Sequence, residues 1–346
     1  MACYSTLKGW RNEETGGIQF RADGAREKME VACGQCIGCR TDIASMWSVR
    51  IVHESCLHEA TGGNCFITLT YRDRLECDGE QLRNGYHIPD DWSLSKKHCQ
   101  DFLKRLRHHF KPRKIRFYLA GEYGNKCKHG IEVDKVKCPL CRIGRPHYHA
   151  CLFNCTFSDL EPYASSGGRT LYTSGLLESI WKFGFVDVGQ LTPESAAYVA
   201  RYAMKKVTGV RAHDHYMLYD VDGCITFVTP EFCLMSRGHT CIRHRGMPYQ
   251  IDCPKCSRGI GRDWYERHKS DFFPSDQCPV VGGGVYHGVP RFYEELFKIE
   301  DPLTLEDIKE VRQEFMRKHA DDYTPDRLMD RYEVHKARNK LLLRSL

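Results

Sequence analysis

Tyr198 and Tyr202 stand four residues apart in the stretch Glu-Ser-Ala-Ala-Tyr-Val-Ala-Arg-Tyr-Ala-Met-Lys-Lys at residues 194–206. The stretch is rich in helix formers and follows Thr192-Pro193, a helix-start signal. On a helix the two phenols lie one above the other, and Lys205 falls about a turn later on the same side. Alone, that stripe also fits the buried side of an amphipathic helix. A second group of residues changes the balance. His147 and His149 flank Tyr148 in a strand-like run. Alternate residues of a strand share a face, so both imidazoles can reach one ion while Tyr148 points into the core. Glu122 closes the preceding strand-like run, and a hairpin would bring it alongside. Two imidazoles, one carboxylate and open positions suit a catalytic divalent ion. Such an ion would polarise a phosphate for attack by a tyrosine. Free tyrosine titrates near pH 10, and Lewis-acid activation with charge support from Lys205 partly removes the need for a phenolate.

These groups need a frame. Residues 64–71, 114–121, 147–154 and 184–190 read as strands, being β-branched or aromatic with partial alternation. In the first, Thr68 and Thr70 share one face and Ile67 and Leu69 the other. Residues 44–60, 94–110, 176–183 and 194–206 read as helices, and 72–94 and 155–175 as loops. Leu94–Phe110 is amphipathic and basic, which fits a solvated face or one turned to phosphates. The pattern predicts an α+β fold, an antiparallel sheet with helices packed on one face. We divide the chain into an N-terminal Cys-rich and helical segment (1–60), a core (61–210) with an insertion at 125–145, an extension (211–295) with a Cys/His-rich insertion at 239–258, and a charged helical tail (296–346).

The chain has 346 residues with a formal charge of +6, modestly basic and compatible with a nucleic-acid partner without requiring one. No apolar run approaches a membrane span and no signal-like start is present, so a soluble cytoplasmic protein is expected. Nineteen cysteines are then more apt to be packing residues, metal ligands or nucleophiles than disulfides. Cys33, Cys36 and Cys39 recur at three-residue steps between glycines, as in a metal knuckle, and a fourth ligand must come from elsewhere. Free thiols in a tight turn fit the same spacing. Cys138-Pro-Leu-Cys141 with Cys127 and His129 offers four zinc ligands. So does Cys241-Ile-Arg-His244 with Cys253-Pro-Lys-Cys256, whose two-residue gaps and eight-residue separation resemble a zinc ribbon.

Taken together, the chain resembles the HUH endonucleases, in which two histidines flank a bulky apolar residue. It is more closely similar to the two-tyrosine replication initiators of single-stranded-DNA microviruses of the gokushovirus group. The resemblance rests on Cys33-Gly-Gln-Cys-Ile-Gly-Cys-Arg40, Phe66-Ile-Thr-Leu-Thr-Tyr71, Gly121-Glu-Tyr-Gly124, Arg145-Pro-His-Tyr-His-Ala150, Tyr198-Val-Ala-Arg-Tyr-Ala-Met-Lys205 and Gly259-Ile-Gly-Arg262, and covers roughly residues 30–295. It implies a ferredoxin/RRM-like core and Mg²⁺ or Mn²⁺ held by Glu122, His147 and His149. It implies that Tyr198 or Tyr202 cleaves a phosphodiester at the viral origin, leaving a 5′-phosphotyrosyl link and a free 3′-OH for the host polymerase. The other tyrosine cleaves the regenerated origin and the ends are joined into a circle. Partners are then single-stranded and origin double-stranded DNA and the host polymerase and helicase, in the cytoplasm of a bacterial host. In this family the link from Gly-Glu-Tyr-Gly to the histidine strand is often short, whereas here it carries the insertion. A plasmid or transposon HUH nuclease shares the active-site residues. A non-catalytic zinc-containing nucleic-acid-binding protein accounts for the cysteines and charge but leaves the histidine and tyrosine pairs without a role.

Overall fold

The computed structural model describes residues 3–12, 17–21, 28–127, 143–166, 168–207, 209–219, 225–238, 258–279 and 285–344. The chain divides into two compact units, Met1–Met46 with Glu294–Leu346, and Trp47–Tyr293. In the first unit β1 (Leu7–Arg11) sits between β2 (Ile18–Gln19) and β3 (Lys28–Val31). Helix α1 runs Ile37–Cys56.

The second unit is built on seven antiparallel strands. In chain order they are β4 (Asn64–Thr70), β5 (Arg116–Tyr123), β6 (Pro146–Phe153), the hairpin β7 (Leu160–Ser166) and β8 (Arg169–Ser174), β9 (Val186–Gln190) and, beyond a two-stranded hairpin β10–β11 (Met217–Tyr219, Ile225–Phe227), β12 (Phe232–Met235). Their spatial order is β12-β5-β6-β4-β9-β8-β7. Helices α2 (Gly79–Asn84), α3 (Lys96–His109), α4 (Gly175–Trp181) and α5 (Pro193–Arg201) are threaded between the strands. Then follow α6 (Val210–Tyr216), α7 (Arg262–Phe272) and a last hairpin, β13–β14 (Gln277–Pro279, Val285–His287).

The α+β class and the antiparallel sheet are as expected, but the helices lie on both faces. Ile67, Leu69, Leu119, Tyr148, Ala150 and Leu152 pack with α3 residues Phe102, Leu103 and Leu106 and α4 residues Leu177 and Trp181. Tyr118, Ala120, Cys151 and Phe153 point the other way, against Ile51 and Val52 of α1 and Ala196, Val199 and Ala200 of α5. The central strands are apolar at both parities, so burying only one face would leave the other wet; each such side chain gains about 1.5–3 kcal/mol by burial.

Two expected loops contain structure. Residues 72–94 hold α2, which starts on an Asp78 cap and stops at Gly85 in the left-handed region (φ 65°). Residues 155–175 hold the β7–β8 hairpin, with an irregularity between Pro162 and Ala164. This hairpin forms the exposed edge of the sheet, where proline is tolerated and no buried alternation is needed, so the pattern carries little strand signal.

Two packing devices bear on the site. The Tyr148 hydroxyl accepts a bond from the Ser95 amide at 2.8 Å and lies 2.7 Å from the Tyr71 hydroxyl. The residue between the two histidines therefore fixes the N-cap of α3 on the opposite face. On the site face, Glu54 of α1 is fully buried; it accepts from the Gly261 amide at 2.8 Å and meets Arg116 at 2.9 Å. Arg50 lies between the rings of Trp47 and Phe292 and donates to the Ile260 carbonyl at 2.9 Å. Gly261 has φ 79°, and a Cβ there would lie 2.4 Å from the Tyr293 hydroxyl oxygen, so the Gly259-Ile-Gly-Arg262 motif is a close-approach turn that grips α1.

The tail is helical as expected: α8 (Arg291–Glu300), α9 (Pro302–Lys318) and α10 (Pro325–Arg344). Among the described residues no helix is long and apolar enough to cross a membrane.

His53 of α1 supplies a pH test. It is 1% exposed, stacks on Trp264 and Tyr293, and burial drives its pKa down to about 4. An unfolded histidine titrates near 6.5, so between these values the unfolded chain binds more protons and stability falls as pH falls. Urea titrations from pH 7 to pH 4 should show a loss of at most about 3 kcal/mol from this residue. His53→Gln should flatten that part of the slope.

Candidate active site

The site face of the sheet is set by strand register. Glu122 of β5 pairs directly with His147 of β6, and His149 pairs with Thr68 of β4. The three donors face one point: His147 Nε2 is 2.7 Å and His149 Nε2 3.6 Å from Glu122 Oε1. All three offer a ligand atom within 4.8 Å of the others. The neighbouring residues fix the ring tautomers. His147 Nδ1 lies 3.1 Å from the Arg145 carbonyl, which only accepts, so this nitrogen carries a proton. A neutral His147 then aims its Nε2 lone pair at a carboxylate oxygen, a contact relieved by a shared proton or a cation. His149 Nδ1 is 3.0 Å from Thr68 Oγ1, and its buried Nε2 has no hydrogen-bond partner. An orphaned imidazole nitrogen beside a carboxylate and a second imidazole fits a divalent ion, with Thr68 and the Arg145 carbonyl holding the rings from behind.

Helix α5 delivers the phenols. Thr192 caps it in a reciprocal pair with Ser195, with Pro193 at the first helical position. The expected helix over 194–206 is shorter than its pattern. The α-helix stops at Arg201 and tightens into a 3-10 turn over Tyr202–Met204. Tyr202 stacks flat on His149, with ring centres 5.0 Å apart and planes at 7°. Tyr198 meets His149 edge-on at 5.2 Å and Tyr202 edge-on at 4.9 Å. Phe66 backs the cluster, stacked on His149 at 5.7 Å. Tyr202 is buried and its hydroxyl has no partner, while Tyr198 is half-buried.

Lys205 closes the group. Its ammonium is 3.0 Å from Glu122 Oε2 and 4.7 Å from the centre of the Tyr202 ring, so its charge sits on the metal-site carboxylate and beneath one phenol. Burial pushes the Glu122 carboxyl upward, but the two imidazoles and Lys205 outweigh it and hold the group well below the usual carboxylate range. Burial lowers His149 to about 4 despite Glu122. Burial also raises both phenols, Tyr202 far more than Tyr198, with the Glu122 charge adding to it. The resting tyrosines are therefore neutral near pH 7.

The sequence comparisons agree with this assembly. The family profile for replication-associated proteins of the ORF2 type matches residues 64–207. The chain is 28% identical to Replication-associated protein ORF2 of Spiroplasma virus 4 over 338 residues, covering 92% of this chain and 88% of that one. It is 26% identical to Replication-associated protein VP4 of Bdellovibrio phage phiMH2K over 308 residues, covering 87% and 79%. Against Replication-associated protein ORF4 of Chlamydia phage 1 it is 27% identical over 275 residues, 77% of this chain and 53% of that one. The chain belongs to the phage replication-associated proteins. No solved structure matches it. The segment that fits the replication-associated family contains all of Glu122, His147, His149, Tyr198, Tyr202 and Lys205.

The cysteine expectations divide. Cys33, Cys36 and Cys39 come together, and the fourth thiol is Cys3, which was not singled out from the sequence. Its only sequence signal is a cysteine near the start of the chain. Cys127 is buried with Ile143, Tyr216 and Val228. His129, Cys138 and Cys141 lie outside the described residues, as do Cys241, His244, Cys253 and Cys256. Thr68 and the Arg145 carbonyl were also missed as ring supports; the alternation of β4 placed Thr68 on a shared face but not behind a histidine.

Thr68→Val keeps the shape and removes the partner of His149 Nδ1. It should weaken Mn²⁺ binding about 10-fold or more, read by calorimetric titration, with unchanged circular dichroism. An unaltered affinity would remove Thr68 from the site.

Proposed function

We propose that the chain is a viral rolling-circle replication initiator that nicks and rejoins the origin strand through tyrosine transesterification. The observation that carries this reading is the packing of both phenols on His149, one of three donors converging on a single point. A Mg²⁺ or Mn²⁺ held by Glu122, His147 and His149 supplies Lewis-acid polarisation of the scissile phosphate when bound. In the nick, a phenolic oxygen bonds to phosphorus and the P–O3′ bond breaks. The phenol releases one proton to solvent and the departing 3′ oxygen takes one up. The phosphodiester energy stays in the 5′-phosphotyrosyl bond, so joining by a 3′-OH needs no nucleotide triphosphate.

The two phenols differ in access. Tyr198 is half-buried and Tyr202 is buried beneath Lys205, so we assign the first attack to Tyr198 and the later one to Tyr202. Lys205 offsets negative charge at Glu122 and beside the phosphate. Origin DNA, single-stranded and double-stranded, is the substrate, the host polymerase extends the released 3′-OH after a helicase opens the duplex, and the protein works inside the infected bacterium.

Single-stranded origin oligonucleotide with Mn²⁺ should yield a covalent adduct on a denaturing gel. Tyr198→Phe should abolish the first adduct, Tyr202→Phe should retain it and lose joining, and the double variant should form none. An undiminished adduct in the double variant would sink the tyrosine mechanism. Separately, His147→Ala and His149→Ala should lower cleavage by roughly 100-fold or more while DNA binding persists in a filter assay. Loss of folding in both would make these histidines core residues instead.

A further inference from the structure

We infer that Cys3, Cys33, Cys36 and Cys39 form a structural zinc site, with Cys3 as the fourth ligand, and that this site seats the C-terminal helix α10. The inference stands apart from the nicking chemistry; all four thiols lie outside the family-matched segment. The spacing of the sulfurs is that of a metal tetrahedron. Zinc–sulfur bonds of about 2.3 Å give tetrahedron edges of about 3.8 Å. Cys36 Sγ lies 3.5 Å from Cys39 Sγ and 3.9 Å from Cys3 Sγ, and all four fall within 4.8 Å of one another. A disulfide would need sulfurs about 2.05 Å apart.

The backbone is arranged for thiolates. The amides of Gln35 and Cys36 point at Cys33 Sγ at 3.4 and 3.2 Å. Those of Cys39 and Tyr4 point at Cys36 Sγ at 3.5 and 3.3 Å, and that of Cys33 at Cys3 Sγ at 3.2 Å. Five donors aimed at three sulfurs suit anionic ligands around a cation rather than neutral thiols. Gly34, in the left-handed region at φ 69°, makes the turn that brings two of these amides round. Four thiolates with no open position make a closed, structural centre.

The site also organises the tail. Tyr4, next to Cys3, places its hydroxyl 3.2 Å from His335 Nδ1 and donates to the Arg331 carbonyl at 3.3 Å. Its ring meets Tyr332 edge-on at 5.5 Å. Thr41, two residues after Cys39, reaches His335 Nε2 at 3.0 Å. Residues beside two of the ligands thus hold His335 of α10 from both ring nitrogens.

The test uses the full chain and maleimide labelling read per tryptic peptide. Residues 1–8 hold Cys3, and residues 29–40 hold Cys33, Cys36 and Cys39. Both peptides should resist labelling and react together, at least ten-fold faster, once a zinc chelator is added. Elemental analysis should show Cys3→Ser losing one zinc per chain, with residues 29–40 becoming reactive without chelator. Labelling that ignores chelator, or Cys3→Ser with unchanged zinc and protection, would overturn the site. If Cys3→Ser fails to fold, the wild-type labelling decides alone. Hydrogen exchange at residues 331–336 should speed up on chelation, and unchanged exchange there would overturn the seating of α10.

Discussion

A carboxylate taken out of water costs several kcal/mol unless cations and donors meet it. Glu122 is 4% exposed in the middle of the molecule's widest sheet, and the site is the set of groups that meets it. One oxygen faces both imidazoles and the other faces Lys205. Because the carboxyl is held ionised, it keeps its affinity for a cation. Because Lys205 approaches from the end of the tyrosine helix, the same carboxylate fixes where α5 and its 3-10 turn stop. Phenol position and metal-site charge are therefore a single constraint.

That constraint works because the sheet is rigid from both sides. Every second residue of β6 serves the site face and the others serve the opposite core. His147 and His149 look one way, while Tyr148 looks the other and bonds the start of α3. A shift of one residue in register would exchange the two sets, so packing of Tyr148 against α3 and α4 holds the histidines where they are. On the site face, α1 is gripped through Arg50 and Glu54 by the turn at Gly261. Residues far apart in the chain thus make the wall against which α5 lies.

The cysteine-bearing unit follows a different logic. Its sheet has three short strands, and its helical tail carries exposed apolar side chains such as Leu303, Val311 and Phe315. Little apolar area is available there to hold the N-terminal segment, and a cluster of four sulfurs lies where that segment meets α1.

The sequence by itself determined the chemistry on offer. The two-residue step from His147 to His149 placed both on one strand face, and the four-residue step from Tyr198 to Tyr202 stacked the phenols, because those periods are properties of the backbone. The four central strands and the tyrosine helix were legible for the same reason, and so was Glu122 as the third donor, since β5 and β6 pair as neighbours. Tertiary structure decided what local pattern does not encode. It put helices on both faces, since apolar residues at both parities say that two faces are buried but not by what. It made an edge hairpin from residues 160–174, whose exposed side chains leave no alternation. It brought Thr68 behind His149 and Cys3 to Cys33, contacts across 81 and 30 residues that no spacing rule reaches.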